Sequence, residues 1–111
     1  MKLRIDQNSI TIRLTPDECN TLEREKSLTQ YIRLLTNNSF KYSVVISERS
    51  NAIMPVFDGN GMTINIPVEK ASVWFSSQMI GIRETISTPA GDEFTVIIEE
   101  DLLPKRKLAE K

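Results

Sequence analysis

The chain has 111 residues, 40% of them hydrophobic, with 14 basic and 15 acidic side chains for a net charge of −1. That length fits one domain of the common ~100–150 residue size, and the near-balance of charge argues against a chain built mainly to neutralise nucleic-acid phosphates. The sequence contains no histidine, which removes the commonest general base and the usual transition-metal ligand, and its one cysteine, Cys19, excludes an intramolecular disulfide or a thiolate zinc cluster.

The opening residues show no apolar run of signal-peptide length, and nothing approaches the ~20 apolar residues of a membrane span. The expectation is a cytoplasmic, reduced protein. Leu3 and Ile5 alternate with Lys2, Arg4 and Asp6, and Ile10, Ile12 and Leu14 alternate with Thr11, Arg13 and Thr15. Both are the period-two pattern of a half-buried strand. A Gln7-Asn8 turn makes the facing pairs sum to 15, which puts both apolar sets on one side and places Lys2 opposite Arg13.

Thr15-Pro16-Asp17-Glu18 then reads as a helix start: a threonine cap, proline at the first position and a glutamate three residues on to close a capping box. The helix is expected over about Pro16 to Lys26, with a thin apolar stripe of Cys19 and Leu22. Leu28 to Leu35 and Phe40 to Ser47 read as strands about an Asn37-Asn38 turn. Leu34-Leu35 and Val44-Val45-Ile46 break the alternation, so part of that hairpin is expected to be covered on both faces.

The second half follows the same plan. Ala52 to Phe57 and Met62 to Ile66 flank Asp58-Gly59-Asn60-Gly61, the clearest turn in the chain, and Pro55 favours an edge position for its strand. A second helix is expected over about Pro67 to Ser76, where Val68, Ala71, Trp74 and Phe75 recur at helical spacing. Gln78 to Thr88 and Glu93 to Glu99 close the domain about Pro89-Ala90-Gly91-Asp92. Pro16 and Pro67 stand 51 residues apart, as do Glu18 and Glu69, while Ile12 and Ile64 stand 52 apart, leaving Thr15 without a counterpart.

The expected fold is therefore α+β: a mainly antiparallel sheet or barrel of about eight strands with two short helices, arranged as two strand–strand–helix–strand–strand halves. One domain spans residues 1–100, with halves 1–48 and 51–100. Residues 101–111, which include Lys105-Arg106-Lys107, read as a flexible tail.

The run Met1-Lys2-Leu3-Arg4-Ile5, with Asn8-Ser9-Ile10, Arg13-Leu14-Thr15 and Glu18, resembles a family of short uncharacterised bacterial proteins. These open with a Met-Lys-Ile-Arg-Ile…Asn-Ser-Ile-Arg-x-Arg-Leu-Thr pattern. Ile64-Asn65-Ile66-Pro67, Gly81-Ile82-Arg83 and Val96-Ile97-Ile98-Glu99 are similar too, so the resemblance runs to about Asp101. This chain departs from the pattern at Thr11, where an arginine is expected. The resemblance implies a compact bacterial domain and no assigned activity.

Chemistry is sparse. Without histidine no Cys–His or Ser–His nucleophilic pair can form, and the glycines sit at turns rather than in a phosphate loop. No catalytic residue, cofactor or metal site is assigned. Asp58-Gly59-Asn60-Gly61 lacks the oxygen ligands of a calcium loop and reads as a tight turn. Cys19 reads as a small buried hydrophobe, and Trp74 with Phe75 as core.

The candidate contacts for an anion or an acidic partner are Lys2, Arg4 and Arg13, three cations on one face of the first hairpin. The structural alternative is that glutamates from neighbouring strands, Glu84, Glu93 or Glu99, relieve their repulsion. The leading functional reading is a small non-enzymatic domain that acts by binding or self-association. Its expected partners are another copy, a second protein or a small anion, with no membrane. The rivals are a histidine-free enzyme or small-ligand barrel and, below it, nucleic-acid binding through the basic hairpin and tail.

Overall fold

A computed structural model of the chain describes residues 1–33, 39–77 and 79–101. Its elements run β1 (Lys2–Asp6), β2 (Ser9–Leu14), α1 (Pro16–Glu25), β3 (Ser27–Arg33), β4 (Ser39–Ser47), β5 (Met54–Asp58), β6 (Gly61–Pro67), α2 (Val68–Ser76), β7 (Gly81–Ser87) and β8 (Glu93–Glu100). Eight strands and two helices in two strand–strand–helix–strand–strand halves are thus present. The Asn37-Asn38 turn, Leu34-Leu35 and the residues after Asp101 lie outside the described residues.

The strands form two four-stranded sheets rather than one curved sheet or a barrel. The first has the order β1-β2-β8-β7 and the second β3-β4-β6-β5. Each sheet takes the first hairpin of one half and the second hairpin of the other, because the helix in each half carries the chain across from one sheet to the other. The four hairpins are antiparallel, and each sheet is joined at its centre by a parallel pair, β2 with β8 and β4 with β6. Each sheet therefore retains two edge strands.

The halves repeat in register as well as in order. Leu3 faces Ile12 as Pro55 faces Ile64, and Ile5 faces Ile10 as Phe57 faces Met62, a constant shift of 52. Leu28 faces Val44 as Ile82 faces Ile98, a shift of 54. The shift of 52 also corrects the alignment of the two helix starts. Pro67 ends β6 and is itself the N-cap of α2, so it is the counterpart of Thr15 and not of Pro16.

At α1 the sequence signals act as expected. The Thr15 hydroxyl accepts from the Glu18 N–H at 3.1 Å, and the Glu18 carboxylate accepts from the Thr15 N–H at 2.9 Å, completing the capping box. The helix stops at Lys26, which takes the left-handed conformation (φ 67°) and donates its N–H to the Leu22 carbonyl at 2.8 Å. At α2 no side chain caps the helix start.

One core joins both sheets and both helices. Ile10, Ile12, Leu14, Val96 and Ile98 come from the first sheet, and Tyr42, Val44, Met62, Ile64 and Ile66 from the second. Cys19 and Leu22 of α1, Ala71 and Trp74 of α2, and Ile53 from the segment before β5 complete it. Burying each large aliphatic side chain contributes ~1.5–3 kcal/mol, which is why the alternating positions on β2 and β6 admit nothing polar. The Tyr42 hydroxyl of the second sheet donates to the Met1 carbonyl beside the first at 3.0 Å, a polar tie across the core. Around β4, Ser43 is buried and Val45 half-buried, so that strand is covered on both faces.

Candidate functional site

The outward side of the first sheet is built by alternation. Once Leu3, Ile10, Ile12, Val96, Ile98 and Ile82 face the core, the residues between them must face away. The register therefore brings Lys2, Arg4 and Asp6 of β1, Thr11 and Arg13 of β2, Thr95, Ile97 and Glu99 of β8, and Arg83 and Thr85 of β7 onto one surface. Lys2, Arg4 and Arg13 share this face, and Lys2 lies directly opposite Arg13.

Each of the three has a carboxylate beside it. Lys2 Nζ lies 3.3 Å from Asp101, Arg13 Nε lies 3.6 Å from Glu99, and Arg4 Nε lies 3.2 Å from Asp6. Glu99 was foreseeable as a neighbour; Asp6 and Asp101 were not. Glu84 is occupied elsewhere: it accepts the buried Ile53 N–H at 2.9 Å and lies 3.0 Å from Lys70 Nζ.

Two clefts meet on this surface, with Ile97 and Glu99 lining both. One, of about 610 Å³, lies over β1 and β2 and carries Lys2, Arg4, Asp6, Thr11 and Arg13. The other, of about 750 Å³, lies between the β7–β8 edge and α2 and is mostly apolar, with Val73, Met79, Ile80 and Ile82 in its lining and Lys70 and Arg83 among its charges. Its wall is fixed by the Ile80 carbonyl, which accepts from Trp74 Nε1 at 3.2 Å and from the Glu100 N–H at 2.8 Å. Gly81 has no room for a side chain: a Cβ there would collide with the Ile98 carbonyl and the Glu99 Cα.

Arg83 and Lys70 are the site residues that sequence reasoning missed. The alternation of Arg83 and Thr85 with Ile82 and Ile86 is plain in the sequence, but it does not say which hairpin β7–β8 will join. Only the interleaved topology puts Arg83 on the surface that holds Arg4 and Arg13. Arg83 makes no ion pair with a described residue.

The remaining candidates are structural. Cys19 is buried, and desolvation, reinforced by the nearby Glu100 and Glu18 carboxylates, pushes its thiol up to about 12, far from a reactive thiolate. Trp74 stacks on Phe75 with ring centroids 4.7 Å apart, and Trp74 is 3% exposed. Asp58 pairs with Gly61 across Gly59 and Asn60, with Gly59 at φ 44°, so the segment is a two-residue hairpin turn. Among the described residues no cluster of three His, Cys, Asp or Glu side chains could hold a metal, and no helix is long and apolar enough to cross a membrane.

The molecule is thus an α+β protein of two interleaved sheets whose first sheet carries a charged outer face. The chain belongs to a family of unknown function, DUF7009, whose family model matches residues 1–107. No curated protein and no solved structure matches it.

Proposed function

We propose that this chain is a non-enzymatic binding domain of the bacterial cytoplasm that uses the outer face of the first sheet to hold an acidic protein segment. The observation that carries the proposal is the contrast between the two outer faces. Where the first sheet has Lys2, Arg4, Arg13 and Arg83, the second has Met54, Val56, Asn65 and Thr29 at the matching register positions. Folding alone does not need cations at those four positions, since the second sheet forms with its own two, Arg33 and Lys41, elsewhere on its face.

The ion pairs already present are no obstacle. Exposed pairs of this kind contribute only ~0–1 kcal/mol, so an incoming carboxylate can replace Asp6 or Glu99 at little cost. The apolar cleft beside Ile97 favours a ligand that carries an apolar side chain next to its acidic ones. A bacterial, cytoplasmic setting is supported by the resemblance of the opening residues to bacterial proteins and by a lone buried thiol, which suits a reducing compartment.

Poly-glutamate is a simple probe. Arg4→Gln with Arg13→Gln is expected to abolish its binding and leave melting nearly unchanged. The native interaction should weaken between low and physiological salt, as the Debye length falls toward ~8 Å. The same charge loss on the other sheet, Arg33→Gln with Lys41→Gln, should leave binding intact. Binding that is salt-independent, or lost equally in both double variants, would defeat the proposal.

A further inference from the structure

Four strands edge the two sheets, and three of them are protected. β1 is short, with Lys2, Arg4 and Asp6 in its five residues. β5 contains Pro55, which has no N–H to offer. β7 turns Glu84 inward beside Ile82 and Ile86, a charge that bars a further strand. β3 has none of these devices apart from a single charge, Arg33, at its end. Its seven residues, Ser27-Leu28-Thr29-Gln30-Tyr31-Ile32-Arg33, include no proline and no acidic side chain, and all but Leu28 are exposed.

The polarity of its free backbone groups can be worked out. The Lys26 carbonyl accepts from the Ile46 N–H at 2.9 Å, so even-numbered residues of this strand bond to β4 and odd-numbered ones point to the open edge. The Thr29 and Ser43 hydroxyls meet at 2.9 Å, as expected of the close side chains in a non-hydrogen-bonded pair. The N–H and C=O groups of Ser27, Thr29, Tyr31 and Arg33 therefore face outward.

We propose that a second copy of this chain pairs antiparallel along β3, centred on Gln30, to form a twofold dimer with one continuous eight-stranded sheet. The occupant follows from the sequence of the edge, which is complementary to itself. Pairing about Gln30 sets Leu28 against Ile32, Thr29 against Tyr31, Ser27 against Arg33, and Gln30 against Gln30. Apolar meets apolar and no like charges face one another. The same operation on β1 sets Arg4 against Arg4, and on β7 Glu84 against Glu84. Gln30 and Glu84 hold the same register position in the two halves, opposite Tyr42 and Val96, so a single carboxylate separates an open edge from a closed one. In such a dimer the charged outer faces of the two first sheets stay free, giving two binding faces per particle.

Sedimentation equilibrium of the full chain is expected to show a concentration-dependent dimer of the 12.7 kDa protomer. Gln30→Glu, which places two carboxylates face to face, should give a folded monomer at neutral pH and regain the dimer below the glutamate pKa of ~4.3. Gln30→Cys should cross-link under mild oxidation, because Cα atoms of a non-hydrogen-bonded pair lie ~4.5 Å apart, within disulfide reach. Tyr31→Cys should not, since its partner is Thr29 of the other copy. Cys19 is buried and does not compete. A native chain that stays monomeric to near-millimolar concentration, a Gln30→Glu variant that still dimerises at neutral pH, or cross-linking of Tyr31→Cys as fast as Gln30→Cys would overturn the proposal.

Discussion

The two halves of this chain reach the same backbone with different side chains, and where they agree and differ separates folding from everything else. The strand positions that fill the core stay apolar in both, while the inward edge position is polar in both, Glu84 on β7 and Gln30 on β3. Ile10, Ile12 and Leu14 of β2 correspond to Met62, Ile64 and Ile66 of β6, and all six are essentially inaccessible to water. Positions that face away diverge freely: Lys2 against Met54, Arg4 against Val56, Glu99 against Val45. The helices diverge too. α1 begins in a side-chain capping box, whereas α2 has no side-chain cap and buries a tryptophan instead. A shared need constrains the first set of positions, and its absence leaves the others available for binding.

The comparison is sharpest at the core, where the largest effects are expected. Leu14→Ala and Ile66→Ala remove equivalent, fully buried side chains. Each should cost ~2–5 kcal/mol, and the two losses should be similar, because both leave a cavity against the same shared cluster. Denaturant melts read this directly as a fall in midpoint at constant slope. A small loss in one and a large loss in the other would mean that the halves are alike in topology but not in packing.

At the two equivalent edge positions the halves should behave unequally. Glu84 accepts the N–H of Ile53, a residue with no exposure, and pairs with Lys70. Glu84→Ala strands that donor and should cost ~1–3 kcal/mol. Gln30→Ala, at an exposed position, should stay within ~0.5 kcal/mol of native in a dilute thermal or denaturant melt. Equal effects would show that the inward carboxylate has no structural role on β7 and would weaken the contrast between the edges.

Much of this was legible in the residues. Alternation fixed which side chains of β1 and β2 face the core, and the two-residue Gln7-Asn8 turn set their register, so the meeting of Lys2 and Arg13 could be derived in advance. The start of α1 was readable from Thr15, Pro16 and Glu18. What could not be read was pairing between distant strands. Nothing local in Val96-Ile97-Ile98 says that it will lie parallel to Ile10-Thr11-Ile12, because parallel partners are joined through long connections and leave no turn signature. The two-sheet interleaving, the place of Arg83 and the carboxylate partners Asp6 and Asp101 all depend on that step. The slip at Pro67 had a different cause. Proline fits both the last position of a strand and the first turn of a helix, and only the backbone chooses between them.

Apart from the near-neutral Gln30→Ala, the smallest expected effect lies at the start of α1, which has a side-chain cap. Thr15→Ala removes the acceptor for the Glu18 N–H and should cost ~0.5–2 kcal/mol. The other half of the box adds a pH dependence. Partial burial alone would raise the Glu18 carboxyl, but hydrogen bonds from the Met1 ammonium and from Thr15 outweigh it and hold the group below its ordinary value of 4.5. A carboxylate depressed in the folded state binds protons more weakly there than in the unfolded chain. Its contribution is therefore complete above 4.5 and is lost as pH falls below 4.5 through the native value. Glu18→Gln keeps an acceptor for the Thr15 N–H but cannot titrate, so its stability should fall less steeply than the native protein's on the acid side. Stability measured by denaturant at a series of acidic pH values tests this. Parallel acid limbs for the native chain and Glu18→Gln would mean that the capping carboxylate is not tuned by its two donors.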